Sequence, residues 1–263
     1  MVSLSVRDSA ALLDATAGAG PGDPYVAPLP ARAFLQEVGA PAGRLRIAWT
    51  SASPNGAPVE AEPLRVLRET ARLCADLGHQ VEEANPDVDG AAIVPTFITL
   101  IAANTVVNLN SHPTAGRAAR PGEVEKVTFA TGQKGERISS ADYVRATQTA
   151  HRLGRQMAAF HASWDVLLTP GLAMVPPKLG WIDMMLDDVD EYWRRVFTFS
   201  PFTVWFNLTG QPAMMLPLGA TADHVPVAVQ CVARYGDEAT LFRLAAQLES
   251  ARPWIGRRPA VAS

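Results

Sequence analysis

Apolar and polar positions divide this chain into segments of recognisable period. Leu4, Ala11, Leu12 and Ala15 form a stripe at helical spacing. Ser5-Val6-Arg7-Asp8 ahead of it fits a reciprocal N-terminal cap, and Gly18 is placed to end the helix. Residues 19–44 are dense in Pro and Gly and read as an irregular strap with one helical turn near Phe34-Leu35. Leu45-Arg46-Ile47-Ala48-Trp49 alternates like a strand. From Pro58 onward Leu64, Leu67, Ala71, Cys74 and Leu77 recur three or four apart until Gly78, and Gln80-Val81-Glu82 reads as a second strand. Strand, helix and strand at this spacing predict a right-handed crossover and a parallel pair.

Further along, residues 91–110 stay apolar for about five helical turns, which predicts a helix buried nearly all round. A polar, Gly-rich stretch follows, with a short helix near Val124–Thr131. Ser139 or Ser140 then caps a long helix whose inner face carries Tyr143, Ala146, Ala150, Leu153, Met157 and Phe160. Residues 164–170 read as a strand ending at Pro170, and residues 187–199 as a helix. Residues 212–218 and 225–233 read as neighbouring strands around the turn Thr221-Ala222-Asp223-His224, and Asp237 caps a last helix bearing Leu241, Leu244, Ala245 and Leu248. Helices interleaved with strands of both neighbour types predict an α/β fold on a mixed sheet, without internal repeats.

Composition narrows the functions. Of the 263 residues, 48% are hydrophobic, which excludes disordered and low-complexity classes. A net charge of −3 argues against nucleic acid as a partner, because phosphate contacts need clustered Lys and Arg. No run reaches 18 uninterrupted apolar residues, and the first residues show no leader pattern, so neither a membrane span nor a signal peptide is expected. Only Cys74 and Cys231 carry thiols, with no C-x-x-C, so a reducing cytoplasmic setting is expected. The charged fraction, 19%, is low for a soluble chain and hints that some surface is covered.

Motifs for chemistry are scarce. The turn after the first strand lacks Gly-x-Gly-x-x-Gly and a Walker lysine, and the chain has neither a G-x-S-x-G elbow nor H-E-x-x-H. His79, His112, His151, His161 and His224 show no ligand spacing, so no metal site is expected. Cys74 and Cys231 fall on apolar faces and read as core, and Lys126, Lys134 and Lys178 read as solvated loop charges. Two stretches stand out. The first, residues 197–213, concentrates aromatics before a polar turn, and Phe197, Phe199 and Phe206 read as core. The second, Pro176–Trp181, is a rigid loop whose Trp walls a pocket or covers the core.

Several segments taken in order carry a resemblance. They are Ser5–Asp14 with Gly18, Gly22-Asp23-Pro24-Tyr25, Leu45–Ala48, Ile138–Tyr143, Trp164–Pro170, Phe206-Asn207-Leu208-Thr209-Gly210-Gln211-Pro212-Ala213, Val225–Gln230 and Gly236–Leu241. Over roughly residues 3–256 the chain resembles the C-terminal half of the amidase signature family. Ala251-Arg252-Pro253-Trp254 looks most like the bacterial branch that includes 6-aminohexanoate cyclic-dimer hydrolases and aryl or aliphatic amidases. The resemblance implies an α/β/α sandwich around a large mixed sheet. It also implies cleavage of carboxylic amide C–N bonds by a Ser, a cis-Ser and a Lys, with no cofactor.

In that family those three residues lie upstream of the segment matching Ser5, so no catalytic residue maps onto this chain. The whole of residues 1–263 then reads as one partial domain: 1–44 a helix plus strap, 45–84 the β-α-β unit, 85–263 the remaining helices and strands. What does map is a substrate wall, giving Asn104, Trp181 and Phe202 as candidate pocket residues. Asn207 is a further candidate, with a hydrogen-bonding turn role as its other reading. An amide substrate is implied once the missing part is supplied, with the isolated chain inactive; a non-catalytic binding protein is the alternative. Because that family shares its sheet between halves, an exposed edge, marginal stability and self-association are expected here.

Overall fold

A computed structural model describes residues 2–111 and 116–257. Five strands form one sheet in the order β2-β1-β3-β5-β4: β1 Arg46–Trp49, β2 Gln80–Glu83, β3 Val166–Pro170, β4 Ala213–Ala220 and β5 Pro226–Ala233. β1 runs parallel to both β2 and β3, whereas β5 is antiparallel to β3 and β4, so the sheet is mixed. Central β3 is buried at every position, which explains its unbroken Val-Leu-Leu-Thr-Pro run.

The helices are α1 Val6–Thr16, α2 Ala61–Asp76, α3 Ile93–Asn110, α4 Lys126–Gly135, α5 Ser140–Phe160, α6 Val189–Phe199, α7 Thr203–Thr209 and α8 Glu238–Ala251. On one face of the sheet α1, α2 and α8 bury Val6, Val66, Leu67, Leu244 and Leu248 against Ile47, Leu168, Leu216 and Val229. On the other face α3, α5, α6 and α7 bury Ile93, Leu153, Met157, Phe197 and Trp205 against Ala48, Leu167 and Val232. The strand period of two assigns alternate side chains to these two cores.

Local chemistry sets the boundaries. Ser139 Oγ accepts the Asp142 N–H at 3.1 Å while the Asp142 carboxylate accepts the Ser139 N–H at 3.2 Å, the reciprocal cap that starts α5. At α1 only half of that box forms. Ser5 Oγ accepts from Asp8 N at 3.1 Å, and Asp8 makes no return bond. The α1 stripe also differs from expectation: Val6 and Ala10 are buried with Leu13 beside them, while Leu4 and Leu12 are exposed. Alanine on both sides of this helix makes its faces similar in hydropathy, so packing against α8 chooses the inner one. The helix stops at Thr16, two residues short of Gly18. α2 likewise begins at Ala61, three residues after Pro58.

The strap is tied down at two places. Asp14 of α1 accepts the N–H groups of Phe34 and Leu35 at 2.7 and 2.8 Å, which seats the short 3-10 turn Phe34–Gln36. Glu37 is gripped by both Arg32 and Arg243.

α3 is the largest departure. Only Ile93, Thr96 and Ala102 are buried in it, and Val107 is 62% exposed. One side lies on α4, α5 and α7, and the other presents Asn104, Val107, Asn108 and Asn110 outward. By length and composition alone Gly90–Asn110 is apolar enough to cross a membrane; the uninterrupted-run criterion does not register it. The α4 contact is close because glycines face α3: a Cβ at Gly135 would stand 2.1 Å from the Ala102 carbonyl oxygen.

Candidate functional site

The four candidate wall residues fall on α3, on the loop before α6, and at or within α7. Asn104 is exposed and its Nδ2 donates to the Leu100 carbonyl one turn back, 2.8 Å away. Trp181 is half-buried. Its carbonyl accepts from Arg195 Nη1 at 2.8 Å, and the same guanidinium lies 5.9 Å from its ring centroid. The loop is also fastened to α4, through Val127 N–H to the Met184 carbonyl at 3.0 Å and Lys126 to Asp187 at 2.7 Å, and a Lys134–Asp190 ion pair joins α4 to α6.

Phe202 is fully buried just ahead of α7, so it fills the core and offers no surface to an open pocket. Asn207 is not a turn residue: it sits inside α7, exposed, and its side chain makes no hydrogen bond among the described residues. No hydrogen bond or ring contact joins any two of the four among the described residues.

Aromatic packing ties these elements together. Trp193 stacks on Phe197 at 5.6 Å, and Phe97 meets both edge-on at 6.5 and 5.9 Å, locking α3 to α6. Phe197 and Phe206 are buried as expected, while Phe199 is half-buried.

A polar pair that sequence reasoning did not single out lies on the same face of the sheet. Gln230 Nε2 donates to Thr169 Oγ1 at 3.0 Å, and Thr169 Oγ1 donates to the Pro170 carbonyl at 3.0 Å, all buried. Its sequence signal is a polar residue at an inward position of two otherwise apolar strands, Val-Leu-Leu-Thr-Pro and Val-Ala-Val-Gln-Cys. Four buried side-chain atoms have no hydrogen-bond partner among the described residues: His161 Nε2, Trp205 Nε1, Gln211 Oε1 and Arg243 Nε. His161 keeps its Nδ1 on the Trp164 carbonyl at 3.1 Å, and burial pushes its pKa down, so it is neutral near pH 7. His112 lies outside the described residues.

A sizeable cleft lies elsewhere. A cleft of about 860 Å³ runs between the outer edge of β4 and the start of α1, lined by Leu4, Val6, Met214, Leu216, Pro226 and Trp254 among others. Ser3, Ser5 and Ser9 border it too. Ser3 Oγ lies 2.7 Å from Ser9 Oγ, and Ser5 Oγ is occupied in capping α1. His224 and Asp223 stand on its rim, but no serine hydroxyl among the described residues is hydrogen-bonded to a lysine or histidine. A nucleophilic hydroxyl needs such a base within reach.

The thiols offer no substitute, since burial pushes Cys74 up to about 12 and lifts Cys231 beyond the ordinary thiol range. No group of three or more His, Cys, Asp or Glu side chains is placed to hold a metal ion among the described residues.

Comparison with known proteins decides the family. A family model described as Amidase matches residues 1–242. The chain belongs to the amidase family. It is 32% identical to the 6-aminohexanoate-cyclic-dimer hydrolase of Pseudomonas sp. (strain NK87), covering 97% of this chain and 54% of that protein. It is 34% identical to the putative amidase AmiB2 of Mycobacterium tuberculosis (strain ATCC 25618 / H37Rv), covering 99% of this chain and 53% of that one. The solved structure of a 6-aminohexanoate cyclic dimer hydrolase complexed with substrate superposes with a TM-score of 0.90 at 29% identity, over 98% of this chain and 56% of that one. A bacterial aryl acylamidase, 18% identical with a TM-score of 0.77, shows the same fold. The chain spans about half the length of the curated relatives it matches. The mixed sheet with helices on both faces is thus amidase architecture, as the sequence resemblance implied.

Proposed function

We propose that this chain forms the substrate-wall portion of an amidase that hydrolyses a carboxylic amide C–N bond. Its Ser/cis-Ser/Lys set comes from polypeptide equivalent to the other half of the relatives' length. One observation carries the reading: the chain overlays a cyclic-dimer amide hydrolase along 98% of its own length, yet no serine hydroxyl among its described residues is hydrogen-bonded to a lysine or histidine, and both thiols are buried. On this reading Asn104 and Trp181 face an amide substrate, with the loop at 174–182 held at Trp181 by Arg195. A small-molecule amide follows from the relatives' names, and unbridged buried thiols suit a reducing cytoplasm.

The test is hydrolysis of 6-aminohexanoate cyclic dimer and of an aryl amide. Each is assayed with the 263-residue chain alone and after adding the complementary half of the Pseudomonas relative. Turnover only in the mixture is expected, and turnover by the chain alone overturns the division of labour. The same lack of an activated nucleophile favours a second reading, a binding protein derived from an amidase. In that case the chain binds the cyclic dimer and no complement restores turnover.

A further inference from the structure

The turn between β1 and α2 stands where a phosphate-binding loop would, without its sequence, and its contacts give it another task. Gly56, at φ 74°, brings its N–H to the Ser53 carbonyl at 3.1 Å, and Ser53 Oγ donates to the Ala57 carbonyl at 2.7 Å, so the turn is tight. At its tip the Asn55 carboxamide is held at both ends. Oδ1 accepts the Ala57 N–H at 3.2 Å, and Nδ2 donates to the Phe197 carbonyl of α6 at 3.0 Å. That carbonyl lies in the last turn of α6, and the residue four further on is Pro201, which has no N–H to give it. Asn55 supplies the missing cap. The Phe199 carbonyl accepts the Ala173 N–H at 3.0 Å, the Ala173 carbonyl accepts the Glu60 N–H at 2.8 Å, and Glu60 Oε2 accepts the Val175 N–H at 3.2 Å. The turn also abuts the start of α3, since a Cβ at Gly90 would stand 2.2 Å from the Pro54 carbonyl oxygen. Residues 54–60 therefore touch each segment that carries or holds the wall: α3, α6 and the loop after β3.

We propose that Asn55 is a positioning residue for the substrate wall: by capping α6 it fixes where Arg195 presents Trp181. The inference rests on the reading of Trp181 as a wall residue. Arg195 is two residues from Phe197, about 3 Å along the helix axis, so a shift of the capped end reaches it almost undiminished. Glu191 Oε1 accepts from Arg195 Nε at 2.6 Å and steers the guanidinium, which in turn donates to the Trp181 carbonyl and lies beside its ring. Aromatic packing alone does not set this geometry. The stack of Trp193 on Phe197 against Phe97 resists separation of α6 from α3, but rings slide past one another at little cost, whereas a directed hydrogen bond at the helix end fixes position along the axis. Asn55 is exposed and buries little apolar surface, so its contribution is placement more than core stability.

Two readouts on the full chain test this: the indole N–H resonance of Trp181, assigned by its loss in Trp181→Phe, and the calorimetric Kd for 6-aminohexanoate cyclic dimer. Asn55→Asp keeps the acceptor for Ala57 and removes the donor to Phe197; Asn55→Ser does the same without adding a charge. Each is expected to shift the Trp181 resonance and to raise Kd about five-fold. Arg195→Gln is expected to do likewise, and combining it with Asn55→Asp to add under about two-fold more, because both act through one ring. A cap with a merely structural role lowers the urea midpoint but leaves the resonance and Kd at their wild-type values, and that result overturns the proposal. Fully additive effects of the two substitutions overturn it too. If Trp181→Phe weakens binding while both Asn55 variants bind normally, this inference falls alone. If Trp181→Phe binds as tightly as wild type, or the wild-type chain does not bind the dimer, the wall reading falls and takes this inference with it. Asn55→Ser decides the matter if Asn55→Asp fails to fold.

Discussion

Replacing Glu37 with Gln tests how the strap is held, because this carboxylate gathers two cations at a site almost closed to water. Its side chain is 6% exposed; Arg32 donates to both oxygens at 2.7 Å, and Arg243 Nε stands 3.5 Å from Oε2. Gln keeps the shape and one acceptor but removes the charge. Arg243, whose buried Nε has no hydrogen-bond partner, then loses its counter-ion. A charge-assisted bond is worth about 1.5–3 kcal/mol. Arg32 is 45% exposed, so screening lowers the expected loss to about 1–2 kcal/mol. At roughly 2–4 °C per kcal/mol for a chain of this size, Tm falls by about 2–8 °C at pH 7.

The sign with pH follows from Arg32, which holds the Glu37 carboxyl below the ordinary carboxylate range. A depressed pKa gives stability that is fully present above the unfolded value, about 4.3, and is lost as pH falls through the folded one. Thermal melts followed by circular dichroism should therefore show a gap between wild type and Glu37→Gln that holds from pH 7 to 5 and closes toward pH 3. Equal Tm values at pH 7 would refute the reasoning, as would a gap that persists undiminished at pH 3.

Two further outcomes follow from packing. Gly135→Ala drives a methyl into the Ala102 carbonyl, which outweighs the roughly 1 kcal/mol of helix propensity gained. A net loss of about 1–3 kcal/mol is expected in urea unfolding, and an unchanged midpoint would show that α3 and α4 can separate freely. Cys74 and Cys231 should stay silent to a disulfide reagent at pH 8 in the native protein and both react in guanidinium; fast native labelling of either would contradict their burial and raised pKa.

What the sequence disclosed, and what it withheld, can be traced to particular residues. The β1-α2-β2 unit was legible because Leu67, Ala71 and Cys74 recur at helical spacing between two short strand-like runs, and these three helix positions are buried. The Asp142 cap was legible because a reciprocal bond needs only four consecutive residues. α7 was not. Thr203, Val204, Trp205 and Phe206 are weak helix formers, and this seven-residue helix exists because burying Val204, Trp205 and Phe206 beside α5 and α3 outweighs propensity. The exposed side of α3 was hidden for the opposite reason. Apolar residues surround that helix, and only three-dimensional neighbours decide which of them are covered. The Thr169–Gln230 pair needed the β3–β5 register before two isolated polar residues became one unit.

The site is harder to read than the fold because the candidate wall residues and the 860 Å³ cleft fall on different parts of the structure. Asn104 and Trp181 belong to the α3, α4 and α6 side, where aromatic stacking and three ion-paired or hydrogen-bonded fastenings make a rigid wall. The 860 Å³ cleft is concave, but it lies against a bare strand edge and the first residues of α1. A small-molecule site usually offers a few convergent polar side chains inside an apolar hollow. This cleft instead adjoins a row of unpaired backbone groups, which another strand satisfies far better than an amide substrate does. On the proposed reading this cleft marks where polypeptide belongs, and the wall around Trp181 is the better place to look for substrate. If soaking with the cyclic dimer filled the β4 cleft and left Trp181 untouched, that assignment of the two surfaces would be reversed.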